Sequence, residues 1–356
     1  MIETISMTNV MGFEEFSVPY FPPITVILGK NDVCKTALLK MMYAVGKSTE
    51  LYGKQASQDE SVQYRPILSE KIQNVYGVKK ALGELVRKNG TPKKLSVAVR
   101  MADTHIKEVA FTYGTDTKSM ITDYKMILNP ESKKQINYIF IPAKEVLTAF
   151  NTIRAISRQY FFPGWDDTTL DLIDLLDIPV QEKRDEFFTE ILQKIREMFS
   201  GELKQISSNE RFVYKKNNTE YALPLTAEGV KHIGILSTLI ENGQIKEGTV
   251  LFLDEPEDNL HPSALRQLVK IIGLFAQKGV QVFLTTHNYF TLKQLQIEAR
   301  TLQMDILCCG LKRNDKGTID ADFSNLRDGM PDNEIVAESM AMLDEDIETS
   351  FRGERN

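Results

Sequence analysis

The residues whose types and order could do chemistry begin with Gly29-Lys30-Asn31-Asp32-Val33-Cys34-Lys35-Thr36. A glycine lets the backbone curl, and consecutive amides then point at one anion. Lys35 would reach the outer phosphates of a nucleotide, and the Thr36 hydroxyl would ligate Mg2+. Cys34 stands where such a loop has its second glycine, so a side chain is expected beside the phosphates, with consequences for the rate of hydrolysis. It also begins a helix next to Lys35, and both features are expected to lower its thiol pKa. A second set lies downstream. Asp254 and Glu255 end the apolar run Val250–Leu253, and His287 closely follows the run Val280–Leu284. Asp254 would hold the metal's shell, and Glu255 would orient or deprotonate an attacking water. His287 is placed to reach the terminal phosphate or that water.

Such residues need strands to deliver them and a helix to hold the loop. Ile24–Leu28 is apolar and β-branched, which predicts a buried strand before the loop. Ala37 to Met42 are good helix formers, predicting a helix from about Lys35 to Val45 that ends near Gly46. Val250–Leu253 and Val280–Leu284 read as buried strands, and ligand groups belong at the carboxyl ends of parallel strands. Met1–Val10 and Gly12–Val18 read as a hairpin, followed by the punctuation Phe21-Pro22-Pro23. Helical periodicity runs through Leu68, Ile72 and Val75, then Val78, Leu82 and Val86, and Gly90-Thr91-Pro92 closes the region. Strands are predicted at 95–101, 106–113, 120–128 and 137–142. Residues 143–200 read as helical, interrupted around Pro163-Gly164, with Asp167 or Thr168 capping the next helix. The stripe Ile191, Ile195, Met198 suits a core, or a partner-binding face. Strands recur at 203–207, 211–215 and 219–224. His261 is expected to cap or pack at a helix start.

Composition sets the class. The chain has 356 residues, 42% hydrophobic and 26% charged, as in a globular domain or two. It contains no apolar run of the ~20 residues a membrane span needs, so no membrane partner is expected. Its first residues lack a signal-like pattern, so a cytoplasmic location is expected. A net charge of −6 argues against wholesale coating of nucleic acid. Four lysine pairs, Lys79-Lys80, Lys93-Lys94, Lys133-Lys134 and Lys215-Lys216, are candidates for a local basic track. Cys308 and Cys309 sit in an apolar run and read as buried reduced thiols, and no zinc-type spacing occurs.

Taken together these motifs resemble an ATPase of the ABC class, in the branch shared by SMC, RecF-type and OLD-type proteins. Gly29 to Thr36 resembles its Walker A motif, and Leu251 to Pro256 its Walker B with a catalytic glutamate. Glu257-Asp258-Asn259-Leu260-His261-Pro262 resembles the D-loop, and Thr286-His287 the switch histidine. Pro224 to Lys231 resembles the signature helix, with Thr226 and Ala227 where serine is usual, followed by Glu228 and Gly229. The resemblance implies ATP and Mg2+ as cofactors. Glu255 and His287 would be catalytic, and Thr36 and Asp254 would hold the metal. Nucleotide would be bound by Gly29 through Ala37 and, across a dimer, by Thr226, Glu228, Gly229 and Asp258. No glutamine marks the Q-loop; Lys144 and Glu145 stand near its expected place.

The fold implied is an α/β P-loop NTPase of ABC type: a mixed sheet flanked by helices, an N-terminal antiparallel β-subdomain and a helical insertion. Residues 1–50 and 220–312 would form the ATPase core, 51–219 an insertion and 313–356 an extension. That extension is too short for the nuclease domain OLD-type relatives carry. The implied mechanism is a head-to-tail homodimer, or higher even assembly, closing on two ATP molecules, with Gly229 approaching the partner's phosphate. Three functions follow as expectations. One is a nucleotide-gated switch controlling a separate effector, a nuclease or toxin in anti-phage defence. Another is a DNA repair or DNA-end-binding ATPase. The third is a nucleotide-dependent scaffold with weak hydrolysis.

Overall fold

Runs that are apolar throughout become strands covered on both faces, and they build the centre of the molecule. The computed structural model describes residues 1–57, 59, 61–88, 93–132, 134–157, 164–199, 201–206 and 212–353. A hairpin of β1 (Ile2–Val10) and β2 (Phe13–Val18) precedes β3 (Ile24–Leu28), α1 (Lys35–Ala56) and α2 (Tyr64–Tyr76). Next come β4 (Lys94–Met101), β5 (Ile106–Gly114), β6 (Asp123–Leu128) and β7 (Tyr138–Ile141). Helices α3 (Phe150–Ser157), α4 (Asp167–Leu176) and α5 (Glu186–Phe199) precede β8 (Glu202–Gln205), β9 (Phe212–Lys216) and β10 (Thr219–Ala222). Helices and strands then alternate: α6 (Glu228–Glu241), β11 (Val250–Leu253), α7 (Pro262–Gln277), β12 (Gln281–Thr286) and α8 (Tyr289–Thr301). The described chain closes with β13 (Ile306–Arg313), β14 (Ile319–Asn325) and α9 (Glu334–Gly353).

The central sheet has the order β14-β13-β3-β12-β11-β7, with only β14 antiparallel to its neighbour. Register pairs Leu253 with Leu284, and Thr286 with Leu28. The carboxyl ends of β11, β12 and β3 therefore emerge side by side. Period-2 alternation splits their side chains between two cores. Val26, Leu28, Leu251, Leu253 and Leu284 pack with the helices of residues 150–300. Ile27, Val250, Phe252 and Phe283 pack with α1, α2 and a second, antiparallel sheet of order β2-β1-β4-β5-β6. The third sheet is β10-β9-β8.

Polar contacts tie the helical insertion to α1. Lys40 on α1 meets Asp166 at 2.5 Å. Tyr43 donates to Asp171 of α4 at 2.5 Å, and buried Lys71 of α2 bonds Asp167 and Asp171 at 2.5 and 3.1 Å.

Several expectations need correction. α1 does not stop at Gly46 but continues to Ala56. Gly46 is there because a Cβ would lie 2.3 Å from the Tyr138 ring. The periodicity at Val78, Leu82 and Val86 makes no helix. Gly77, at φ +67°, ends α2, and Leu82–Leu85 is a 3-10 turn. The cap of α4 is Asp166, accepting from the Thr168 amide, rather than Asp167 or Thr168. The central sheet does not end near Lys312, since β14 adds an edge strand. The stripe Ile191, Ile195, Met198 packs into the core and is no partner face. Cys308 and Cys309 are buried in β13 as expected, with burial pushing Cys308 up to about 12. Gly90-Thr91-Pro92, Lys133, Pro163, Ser207 and Arg211 lie outside the described residues. No described helix is long and apolar enough to cross a membrane.

Candidate functional site

The loop between β3 and α1 is shaped by positive φ angles. Gly29 has φ +151°, and a Cβ there would meet Val33 Cγ2 at 2.5 Å and the Leu311 carbonyl oxygen at 2.6 Å. Asp32 and Cys34 adopt the left-handed region, at φ +66° and +62°. Arg313 fixes the outer turn by donating to the Asp32 carbonyl oxygen at 2.7 Å. Lys35, only 6% exposed, donates to the carbonyls of Gly29 at 2.9 Å and Lys30 at 3.1 Å. Its Nζ also lies 3.8 Å from Glu255 Oε1. The ammonium is thus held across the loop, at the open end of β3.

Cys34 departs from expectation. Its thiol is raised above the ordinary value, because burial outweighs the Gly12 amide hydrogen bond and the Arg313 charge that favour the thiolate. The side chain turns to the β1–β2 turn: a Cβ on Gly12 would lie 3.1 Å from Cys34 Sγ.

Strand ends supply the acids. Thr36 Oγ1 donates to both Asp254 oxygens, at 2.9 and 3.0 Å, and Thr285 Oγ1 donates to Oδ1 at 2.7 Å. Burial raises the Asp254 pKa, and the two hydroxyls oppose it. Two oxygens about 2.9 Å apart fit adjacent corners of an octahedron with ~2.1 Å metal–oxygen bonds, so Thr36 and Asp254 suit Mg2+. Glu255 has φ +48°, a strained conformation for a glutamate. Its amide donates to Thr285 Oγ1 at 3.0 Å, and its Oε1 lies 3.0 Å from His287 Nδ1. Ligating atoms of Glu255, Asp258 and His287 all lie within 4.8 Å of one another.

Sequence reasoning missed Glu257 as a site residue. It is buried and hydrogen-bonded by Thr286 Oγ1, and burial pushes its carboxyl up to about 7. The available signal was a third carboxylate one residue beyond a strand-end pair, after Pro256. Asp258 is also raised, by burial first and then by the Glu255 charge.

The structure gathers Gly29 through Thr36, Asp254, Glu255, Asp258 and His287 at the carboxyl ends of β3, β11 and β12, with Ala37 in the first turn of α1. It does not bring Thr226, Glu228 and Gly229 to the phosphate loop. Among the described residues no hydrogen bond or ion pair joins those three to the loop. Thr226 donates to the Ala222 carbonyl at 3.2 Å, and Glu228 pairs with Lys231 at 2.9 Å. A Cβ on Gly229 would meet Leu260 Cδ2 at 2.7 Å and the Asn259 carbonyl oxygen at 3.0 Å. Close packing within the chain already demands glycine there, so a bulky residue at 229 does not isolate an intersubunit contact.

Other candidates fall elsewhere. His261 caps α7, accepting from the Ser263 amide at 3.3 Å. Lys144 lies over the Trp165 ring at 3.9 Å, and Glu145 accepts from the Leu147 amide at 2.5 Å. The described paired lysines sit on separate elements: Lys79 and Lys80 follow α2, Lys94 starts β4, and Lys215 and Lys216 end β9.

Comparison with known proteins bears on the family and the fold. A family profile described as "AAA domain, putative AbiEii toxin, Type IV TA system" matches residues 24–293. No curated protein matches the chain. An SMC head solved bound to the C-winged helix domain of ScpA is 14% identical, with TM-score 0.55 over 92% of this chain and 98% of that one. The SMC head domain from Thermotoga maritima is 13% identical, with TM-score 0.47 over 90% and 98%. An Smc head from Pyrococcus furiosus, with an extended coiled coil and bound to the C-terminal domain of ScpA, is 9% identical, with TM-score 0.47 over 97% and 98%. At 14% identity the first of these shows the fold alone, an SMC-head-like P-loop ATPase fold.

Proposed function

Because the chain belongs to the family described as "AAA domain, putative AbiEii toxin, Type IV TA system", and is by that membership an ATPase, we propose that it is a nucleotide-gated switch. In this reading ATP binding closes a homodimer, or a higher even assembly, and hydrolysis reopens it. The output passes to a separate effector protein, a nuclease or toxin in anti-phage defence. The family's printed description, with its toxin and type IV TA system, supports that setting. An SMC head crystallised with a ScpA domain supports the idea that this fold takes a protein partner.

One observation carries the catalytic assignment: Glu255 Oε1 sits between Lys35 Nζ at 3.8 Å and His287 Nδ1 at 3.0 Å. Lys35 and the amides of residues 29–36 hold the phosphates, and the ammonium leaves the loop carbonyls to do so. Thr36 and Asp254 would hold Mg2+, which when bound would offset phosphate charge. Glu255 takes a proton from the attacking water, and His287 orients Glu255 and contacts the terminal phosphate. The left-handed φ of Glu255, +48°, turns the chain out of the strand, and its carboxylate lies 3.8 Å from Lys35 Nζ. Asp258 sits with them, facing the partner subunit. Thr226, Glu228 and Gly229 of one subunit meet the nucleotide of the other, which explains why they lie apart from their own loop. The segments proposed for this switch are 1–50, 51–219, 220–312 and 313–356, with the second and fourth lending β7 and β14 to the central sheet.

Replacing Glu255 with Gln keeps the hydrogen bond to His287 and removes the base. ATP binding is expected to persist, while turnover falls about 10²-fold or more. Nucleotide binding by fluorescence and phosphate release measure the two separately. Wild-type turnover in Glu255→Gln would sink the assignment.

A further inference from the structure

Helix α9 has a net charge close to that of the whole chain. Its 20 residues hold six carboxylates against one arginine, a net −5 in a chain whose whole charge is −6. Its first turn is anchored: Ile335 and Val336 pack against the core, and Glu334 meets Lys30 of the phosphate loop at 3.1 Å. Beyond that turn Met340, Leu343 and Ile347 are 47%, 51% and 45% exposed.

Val336, Met340, Leu343 and Ile347 recur at intervals of four, three and four residues. That spacing places them in one row along a helix, the a/d row of a two-helix seam. At 3.6 residues per turn, Asp344 and Asp346 project about 80° to either side of the row. Both are exposed. An apolar seam bordered on both sides by carboxylates selects its occupant by charge. A second copy would set Asp344 and Asp346 near their own counterparts, and like charges flanking a seam repel. An anionic membrane surface is repelled likewise.

We propose that α9 is a docking helix for an amphipathic helix of another protein, one whose apolar stripe is flanked by lysine or arginine. The partner helix lays its stripe on Met340, Leu343 and Ile347 and its basic flanks on Asp344 and Asp346. The place has a consequence for coupling. A cleft of about 710 Å³ opens between Gly29, Lys30, β13, β14 and residues 331–337, directly at the root of α9. A partner seated on Met340 to Ile347 therefore lies about 10–20 Å along the helix from the Glu334–Lys30 contact with the phosphate loop. The inference rests on α9 itself and does not require the roles given to Glu255 or His287; it names the face that an effector uses.

The test uses the whole chain and two labelled synthetic helices of about three heptads, both with Leu at a and d. One has Lys at e and g, the other Glu. Fluorescence anisotropy at near-physiological salt is expected to show saturable binding of the Lys helix, at least about tenfold tighter than the Glu helix. Leu343→Asp should weaken it about tenfold or more. The double change Asp344→Lys with Asp346→Lys, at exposed positions that leave folding intact, should reverse the preference between helices. ATP turnover of these variants should match wild type, so a failure here leaves the Glu255 assignment standing, and the converse. Equal binding of both helices, or binding indifferent to Leu343→Asp, overturns the proposal. So does a concentration-dependent dimer that Leu343→Asp abolishes, for then a second copy is the occupant.

Discussion

Glu257 shows how burial changes a residue's chemistry. Its carboxyl, near 4.3 in an unfolded chain, is pushed up to about 7 in the fold. The folded protein thus keeps a proton that the unfolded chain loses. That contribution to stability is full below the unfolded pKa and is lost as pH rises through about 7. Between pH 5 and 8 the wild type is expected to lose on the order of 2 kcal/mol relative to Glu257→Gln, which still accepts from Thr286. Urea unfolding at the two pH values measures it, and parallel slopes would refute it. Cys34 gives a second residue-scale prediction. Burial holds its thiol above the usual range, so iodoacetamide at pH 7.5 is expected to label Cys34 more slowly than a free thiol. Mass spectrometry of the labelled peptide against time checks this. The left-handed φ at Cys34 costs about 1 kcal/mol. Glycine there would lose about as much in backbone entropy, so the cysteine is tolerated.

At the scale of elements, close approach decides where glycine stands. α1 passes Gly46 without a break, and glycine stands there because β7 presses the Tyr138 ring onto it. Gly46→Ala keeps the helix and improves its propensity by about 1 kcal/mol. Yet the new Cβ would lie 2.3 Å from that ring, inside a core with no room to give. Overpacking of this kind costs about 1–3 kcal/mol, so a net loss of stability is expected, read from the urea midpoint. A midpoint at or above wild type would show that Tyr138 moves aside. The same logic applies where the start of α6 meets Leu260: Gly229 is required before any partner arrives.

At the scale of the whole molecule, Lys40–Asp166 and Tyr43–Asp171 join the helix that leaves the phosphate loop to the helical insertion, and Lys71 of α2 bonds the same insertion at Asp167. A change at the loop has a direct mechanical route to residues 166–176 through these contacts. In the proposed switch that route ends in closure of a dimer. Glu255→Gln with ATP is therefore expected to elute at twice the monomer's mass, and wild type with ADP at the monomer's. Light scattering after size exclusion distinguishes them. Bound ATP with no change in mass would remove the dimer from the mechanism.

What the sequence determined by itself was local. The run Ile24–Leu28, the curl at Gly29, Lys35 and Thr36 at a helix start, and acids at the end of Val250–Leu253 are set within about ten residues of chain. Backbone sterics, propensity and period act at that range. Only the tertiary structure decided the rest. Whether Gly46 ends a helix depends on Tyr138, and whether Cys34 ionises depends on its burial against Gly12, in a strand turn that lies before the loop. Whether Glu257 holds a proton depends on its burial beside Thr286 at the end of β12. Burial and charge are fixed by groups distant in sequence, and the long-range pairing of β11, β12 and β3 is what sets Lys35, Asp254, Glu255 and His287 within reach of one another.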